Sequence, residues 1–463
     1  MQTEQLYQLY LQHPVISTDT RKISPGCLFF ALKGDKFDAN KFAQLAIEAG
    51  AAYAFIDDAA YNADEKYILV GDVLTALQQL AKYHRQQLTI PVIGLTGTNG
   101  KTTTKELISA VLAQHFKAQF TQGNLNNHIG VPLTILTIDA SHDIAVIEMG
   151  ANHQNEIEFL CTIAQPTHGL ITNVGKAHLE GFGGFEGVKK GKGELYDYLR
   201  KSESREGRIP IAIGTGSPKE AAGVAFINSD NSILVEMQHV RGLQNVTYYG
   251  TRGSGNLVNG SLLENSPYLT IQWANNRTGT MYPVKTQLTG AYNLDNILAA
   301  ACVGVYFGLT DDEINRGIGG YQPKNNRSQI MQTDTNTLIC DYYNANPSSM
   351  IVAIENMDKL SASRKALILG DMFELGDEAA AEHEAIIRKA VGIAADERIF
   401  IGDEFYKAAM SMDQGLWTMD KKSTFYKTAE DAIVALKSNP ITNSTILIKG
   451  SRGMALERLM ELF

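Results

Sequence analysis

A strand that runs through a glycine-bearing loop into a helix constrains this chain more than any other feature. "IPVIGL" is followed by "TGTNGKTTT" and then by "KELISAVLAQHF". Leu107, Ile108, Val111 and Leu112 recur at helical spacing, so the loop lies between strand and helix, where a phosphate loop lies. The ordinary loop of that kind would place a glycine at position 95, with four residues between it and Gly100, Lys101 and Thr102; Leu95 stands there instead. The shorter loop keeps the chemistry. Gly97 and Gly100 permit a close approach that a side chain would block, and backbone N–H groups at a helix start point at oxygens. Lys101 adds a point charge for β and γ phosphates, and the Thr102 hydroxyl can bind magnesium. A Gly/Asn turn with a solvated lysine is the bland alternative, and it leaves the register of strand, loop and helix unexplained.

Alternation sets the fold class. From Ile90 apolar strands alternate with helices through "DIAVIEMG", "NEIEFLCTI" and "HGLITNV", which implies right-handed crossovers and a parallel sheet. The rhythm restarts after about Gly320 with "TLICDYY", "PSSMIVAIENM", "KALILGD", "AEHEAIIRKAV", "RIFIGD", "AEDAIVALK", "TILIKG" and "MALERLMELF". Ahead of both lies a small α/β segment with a strand "CLFFAL", a helix across "ANKFAQLAIEAGAAYAFI" and a second helix at "VLTALQQLAKYHRQQ". The expected architecture is α/β in three domains: 1–88, 89–321 with a phosphate-loop parallel sheet, and 322–463, doubly wound. A length of 463 residues fits that number. The interval 205–285, rich in Asn, Gly, Ser and Thr, reads as an antiparallel extension of the central domain.

A net charge of −9 argues against a nucleic-acid partner, because such binding is driven by lysine and arginine. Cys27, Cys161, Cys302 and Cys340 are scattered without metal-type spacing, and "MQTEQLYQLYLQHP" lacks a signal pattern, so a cytoplasmic location fits. No apolar run reaches about 18 residues, so no membrane insertion is expected. Glu148 ends a strand at the carboxyl edge of the sheet, where open α/β sheets bind ligands and a carboxylate can hold magnesium. His178 follows the next strand. It is a ligand candidate only because Glu148 and Thr102 converge there; otherwise it is a loop histidine.

"GLTGTNGKTTTKE", "GNLNNHIGVPLTIL", "IEMGANHQNEI", "NVGKAHLEGFG" and "KGKGEL" follow one another at the spacing of the Mur ligases. "TGAYNLDNILAA", "NRSQI", "CDYYNANPSSM", "LGDMFELG" and "IKGSRGMALERL" continue the agreement, so the chain resembles that family over nearly its whole length. The family comprises ATP-dependent amide-forming enzymes of peptidoglycan precursor synthesis. "STDTRKISPGCLFFALKGDKFDANKF" resembles the uridine-diphosphate-binding domain of its last two ligases, and "GNLNNHIGVP" with "YNANPSSM" resembles the last one. A DNPR- or DNPA-type motif of the preceding ligase is absent.

The resemblance implies that ATP phosphorylates the terminal carboxylate of a UDP-MurNAc-tripeptide, and that the amine of D-alanyl-D-alanine then attacks the acyl phosphate. Gly97, Thr98, Asn99, Gly100, Lys101, Thr102 and Thr103 would hold the phosphates. Lys101, Glu148, His178 and Lys192 would carry the catalysis. Two magnesium ions are implied, with Thr102, Glu148, His178 and Lys192 as ligands, the lysine as its carbamate; Lys192, not Lys189 or Lys190, matches the family position. A plain surface lysine is the alternative for Lys192. Asn293 and Asn296 would lie near adenine or merely cap a helix, and Tyr292 stands where family members often carry histidine. Arg327 and Asp341 would bring the C-terminal domain onto the nucleotide. Tyr343, Asn344 and Asn346 would lie near the dipeptide, and Lys449, Ser451 and Arg452 near phosphate or carboxylate. Asp19, Thr20, Arg21, Lys33 and Gly34 would contact the uridine diphosphate, and Asn126 with Asn127 the muramoyl-peptide part. "DTR" and "GNLNNHIG" read equally as a turn and a loop.

Ligands spread over three domains imply an open ligand-free form that closes on nucleotide and UDP-substrate. The rivals are another Mur-type or folylpolyglutamate-type ligase, a small-molecule kinase, and a non-catalytic scaffold. A monomer is expected. No charged cluster picks out diaminopimelate or lysine as the tripeptide's third residue.

Overall fold

The computed structural model describes residues 2–34, 36–203, 210–211, 219–220, 223–265, 267–324, 326–412 and 422–463. Three main sheets order the chain. The first has four parallel strands, in the spatial order Ile16–Ser17, Leu28–Phe30, Tyr53–Ile56 and Tyr67–Leu69. The helix expected across 39–56 stops early. Only Ala43–Glu48 is α-helical, Gly50 takes φ 106°, and Tyr53–Ile56 turns back into the sheet beside Leu28–Phe30.

Helix Val73–Gln87 packs on the central domain rather than only on its own sheet. Leu77 and Leu80 share one apolar cluster with Val131, Ile135, Ile157 and Leu160. Arg85, wholly buried, donates from Nε to Ala164 O (3.0 Å), from Nη1 to Leu88 O (2.9 Å) and from Nη2 to Gln165 O (3.1 Å). Two of those carbonyls end helix Glu156–Ala164, where a cation also meets the negative helix pole. Removing the guanidinium leaves a cavity and unpaired carbonyls. Arg85→Ala is therefore expected to lower the melting temperature by about 5 °C or more, from a cost of about 3 kcal/mol. An unchanged thermal scan would count against this tie.

The central sheet has nine strands. Their spatial order is Thr280–Lys285, Leu269–Asn275, Asn256–Asn265, Val246–Gly250, Val224–Asn228, His168–Ile171, Val92–Thr96, Ile144–Glu148 and Ala118–Phe120. Val92–Thr96 is buried throughout because both neighbours pair with it in parallel. Gly94 lets the covering layer close in, since a Cβ there would lie 2.8 Å from Met149 Cε. The antiparallel reading of 205–285 is corrected in part. Val224–Asn228 and Val246–Gly250 extend the parallel sheet through helix Ser232–Arg241, while the last three strands form an antiparallel meander and Pro210–Ile211 pairs antiparallel with Lys219–Glu220. Residues 205–209, 212–218, 221–222 and 266 of that interval lie outside the described residues.

The third sheet has six strands, with Gln329–Gln332 antiparallel at one edge. The others run in parallel in the order Thr337–Asp341, Thr445–Lys449, Lys365–Gly370, Glu397–Ile401 and Ser423–Tyr426. Apolar clusters cover both of its faces. Among the described residues no helix is long and apolar enough to cross a membrane.

The central and C-terminal domains meet directly. Asn346 Nδ2 donates to Asn99 Oδ1 (2.8 Å), the Lys176 backbone N–H to Ser348 Oγ (3.0 Å), and Lys176 Nζ to Glu382 Oε1 (2.5 Å). These polar pairs tie the two domains together in the described arrangement.

Candidate active site

The strand order places four chain segments at one sheet edge. The loop after Val92–Thr96 lies between the ends of His168–Ile171 and Ile144–Glu148. The segment after His168–Ile171 shapes the loop: Asn99 N donates to Asn173 Oδ1 (3.0 Å), Thr98 N to Asn173 O (3.0 Å), and Thr172 Oγ1 to Asn99 O (2.6 Å). Gly97 takes φ 143° and Gly100 φ 76°, both in the region that favours glycine. A Cβ on Gly97 would fall 2.0 Å from Thr172 Oγ1. Gly97→Ala is accordingly expected to weaken ATP-analogue binding at least about tenfold, with the N–H groups turned out of line; calorimetric titration giving wild-type affinity would contradict this.

Helix Lys101–Leu112 starts at the loop's end. Lys101 Nζ folds back on Gly97 O (2.7 Å) and Thr98 O (2.9 Å). Burial pulls its ammonium down to about 8; Glu148 opposes the shift and Arg327 adds to it. Thr102 Oγ1 donates to Glu148 Oε1 (3.2 Å) and Oε2 (3.0 Å). Asn126 Nδ2 donates to Glu148 Oε1 (2.9 Å), so this residue faces the carboxylate that can hold a metal. Asn127 instead accepts from Ile129 N and Gly130 N, as a helix cap.

His178 sits at φ 51° ahead of the short helix Leu179–Phe182, with Nδ1 against the Glu374 carboxylate of the C-terminal domain. Burial lowers its pKa, Lys101 and Lys192 push the same way, and Glu374 opposes. Lys192 is no surface lysine. It is 2% exposed, donates to Ala151 O (3.0 Å) and lies 5.0 Å from the Phe182 ring centroid. Burial holds its ammonium well below the ordinary lysine range; Lys101 adds to this, and Glu156 and Glu194 oppose it.

A cleft of about 750 Å³ joins the loop to the C-terminal domain, and Lys101, Glu148, His178, Asn293, Arg327, Asp341 and Tyr343 all line it. The Arg327 guanidinium lies 3.7 Å from the Tyr343 ring centroid, and its buried Nε has no hydrogen-bond partner among the described residues. Such an orphaned donor suits an anion. Asp341 accepts from Ser328 N (3.1 Å) and from Lys449 Nζ (2.7 Å), and Lys449 also reaches Asn344 O (3.3 Å). Asn346 begins helix Pro347–Lys359 as its cap while bonding Asn99.

The other expected residues divide between the cleft, which Tyr292, Asn293 and Asn296 also line, and places outside it. Ser451 is buried and bonded to Phe373 N and Ala345 O, and Arg452 faces Glu457 at the surface; neither lines the cleft. Asp19 caps Thr20–Lys22 and is clamped by Arg21, as a turn would be; Lys33, beside Gly34, pairs with Asp57 (2.7 Å). These residues stand in the N-terminal domain, outside the cleft lining. Asn293 bonds Thr289 O and Asn296, and Asn296 accepts from Thr104 behind the loop. Tyr292 gives its hydroxyl to a bond with Ser328 Oγ (2.6 Å). Thr103 lines the cleft.

Sequence reasoning missed Lys105, which is wholly buried beside Glu148. A signal was present: Lys105, Ile108 and Leu112 stand at i, i+3 and i+7, so a lysine occupies the apolar stripe. Among the described residues no three His, Cys, Asp or Glu side chains converge as a metal site. The oxygens of Thr102 and Glu148 fit magnesium, and a carbamate on Lys192 would add the further anionic oxygens.

The Mur ligase family, catalytic domain, matches residues 14–85; the Mur ligase middle domain matches 95–304; and the Mur ligase, glutamate ligase domain, matches 326–452. The chain is 35% identical over 453 residues to the UDP-N-acetylmuramoyl-tripeptide–D-alanyl-D-alanine ligase of Bacillus subtilis, covering 96% of this chain and 92% of that one. Its Escherichia coli counterpart is 34% identical over the same shares. A crystal structure of MurF from Acinetobacter baumannii superposes with TM-score 0.82 at 28% identity, covering 99% of this chain and 97% of that one.

Proposed function

The chain belongs to the Mur ligase family, and we propose from that premise that it joins D-alanyl-D-alanine to UDP-MurNAc-tripeptide, with ATP converted to ADP and phosphate. The observation that carries the reading is one cleft in which Lys101 and Glu148 from the central domain, the latter bonded to Thr102, share a lining with Arg327, Asp341 and Lys449 from the C-terminal domain.

Loop N–H groups and Lys101 bind the β and γ phosphates as charge builds there, which is where preorganised donors contribute most. A bound magnesium would supply charge neutralisation at the phosphates. Thr102 and Glu148 would hold one ion, His178 and carbamylated Lys192 a second. Lys192 suits that role because burial disfavours its ammonium, and a neutral amine adds carbon dioxide with loss of one proton. Arg327 offers an unpaired donor to phosphate, and Lys449 can steady a carboxylate once Asp341 shares it. The tripeptide carboxylate attacks the γ phosphorus, ADP leaves, and the dipeptide amine displaces phosphate from the acyl carbon and loses its proton. Closure of the domains on the substrates would keep water from the acyl phosphate. Asp19, Thr20, Arg21, Lys33 and Gly34 bind the distant uridine diphosphate in this reading. We place the enzyme in the cytoplasm as a monomer, with divisions near residues 88 and 321; its four free, buried cysteines fit a reducing compartment.

Purified protein given UDP-MurNAc-tripeptide, D-alanyl-D-alanine and ATP should yield amide and free phosphate in equal amounts. A stable phosphorylated product would favour a kinase, and turnover only with another precursor would favour a sister ligase.

A further inference from the structure

We propose that Lys105 is a positioning residue for this reaction: its buried ammonium holds the Glu148 carboxylate from behind, in the orientation that faces Thr102 and receives magnesium. This rests on the proposed function. Lys105 lies one helical turn beyond Lys101 and is 0% exposed. Its Nζ donates to Thr121 O (2.8 Å) and stands 3.8 Å from Glu148 Oε2 and 3.9 Å from Glu106 Oε1. It does not line the cleft, so it acts through another residue and not on the substrate.

Thr121 serves two ends of the same device. Its carbonyl accepts from Lys105, while its Oγ1 accepts from the Glu148 backbone N–H (2.9 Å). Backbone and side chain of Glu148 are thereby fixed to one residue. The other partners of the carboxylate, Thr102 Oγ1 and Asn126 Nδ2, come from groups that line or border the cleft and must share the carboxylate with a metal. Lys105 is the partner that metal binding leaves in place. A buried ammonium is costly unless paired, so its retention deep in an apolar helix face needs a pair such as this. Outer partners that orient metal ligands are commonly worth tenfold or more in metal affinity.

Lys105→Met and Lys105→Gln test the idea, the second retaining a donor for Thr121 O without the charge. Manganese binding to the ADP-saturated enzyme, followed by electron paramagnetic resonance, and the magnesium concentration for half-maximal rate should both weaken about tenfold. Metal-free ADP binding should change less than about twofold, since the loop itself is untouched. Variants that melt earlier but keep the wild-type metal constants would show a merely structural lysine and overturn the inference. Wild-type crystals with manganese and ADP decide the matter even where variants fail to fold: Lys105 must remain beside Glu148, and a lysine turned away overturns it. Wild-type protein without metal-dependent ADP binding would instead sink the proposed function.

Discussion

Lys101→Ala is expected to abolish turnover, by about a thousandfold or more, while the protein folds and melts nearly as before. The size follows from removing one preorganised cation at the point where phosphate charge develops. The fold survives because, among the described residues, Lys101 Nζ bonds Gly97 O and Thr98 O of its own loop, while the loop is held independently by Asn173 and Thr172. Phosphate release with both substrates, beside circular dichroism and a thermal scan, checks this. Near-normal turnover would remove the loop from the chemistry.

Lys192→Met should be nearly as severe, for a different reason. Methionine fills the same buried space against Phe182, so packing is kept. What goes is the amine that can become an anion. Activity should fall by about a hundredfold or more as the second metal's ligand is lost. In the wild type, 13C-labelled bicarbonate should give a carbamate resonance that the variant lacks. Burial disfavours the ammonium, which favours the neutral amine that carbamate formation needs. A wild-type spectrum without that resonance, or a fully active variant, would return Lys192 to a structural role.

How much of this was legible depended on distance along the chain. The loop was readable because strand, glycines and helix are contiguous, and Glu148 because it ends a strand in the same parallel sheet. Lys192 was assigned through resemblance alone: nothing in "VKKGKGEL" reveals that Gly187 and Gly191 bring its helix against Phe182, where a Cβ on Gly191 would lie 2.5 Å from the ring. Lys105 was passed over although its helical spacing exposed it. The helix across 39–56 was misread since an alanine-rich apolar run fits either period, and Gly50 decides the break. The strands Val224–Asn228 and Val246–Gly250 were hidden by polar neighbours. Asn99 with Asn346, and His178 with Glu374, are pairs brought together by domain packing, which local periodicity does not encode.

The central claim is that a carboxylate is activated by phosphorylation at this loop. Tripeptide substrate carrying 18O in its terminal carboxylate, incubated with ATP and D-alanyl-D-alanine, tests it by mass analysis of the released phosphate. One 18O atom per phosphate is the predicted result; amide product accompanied by unlabelled phosphate would contradict it.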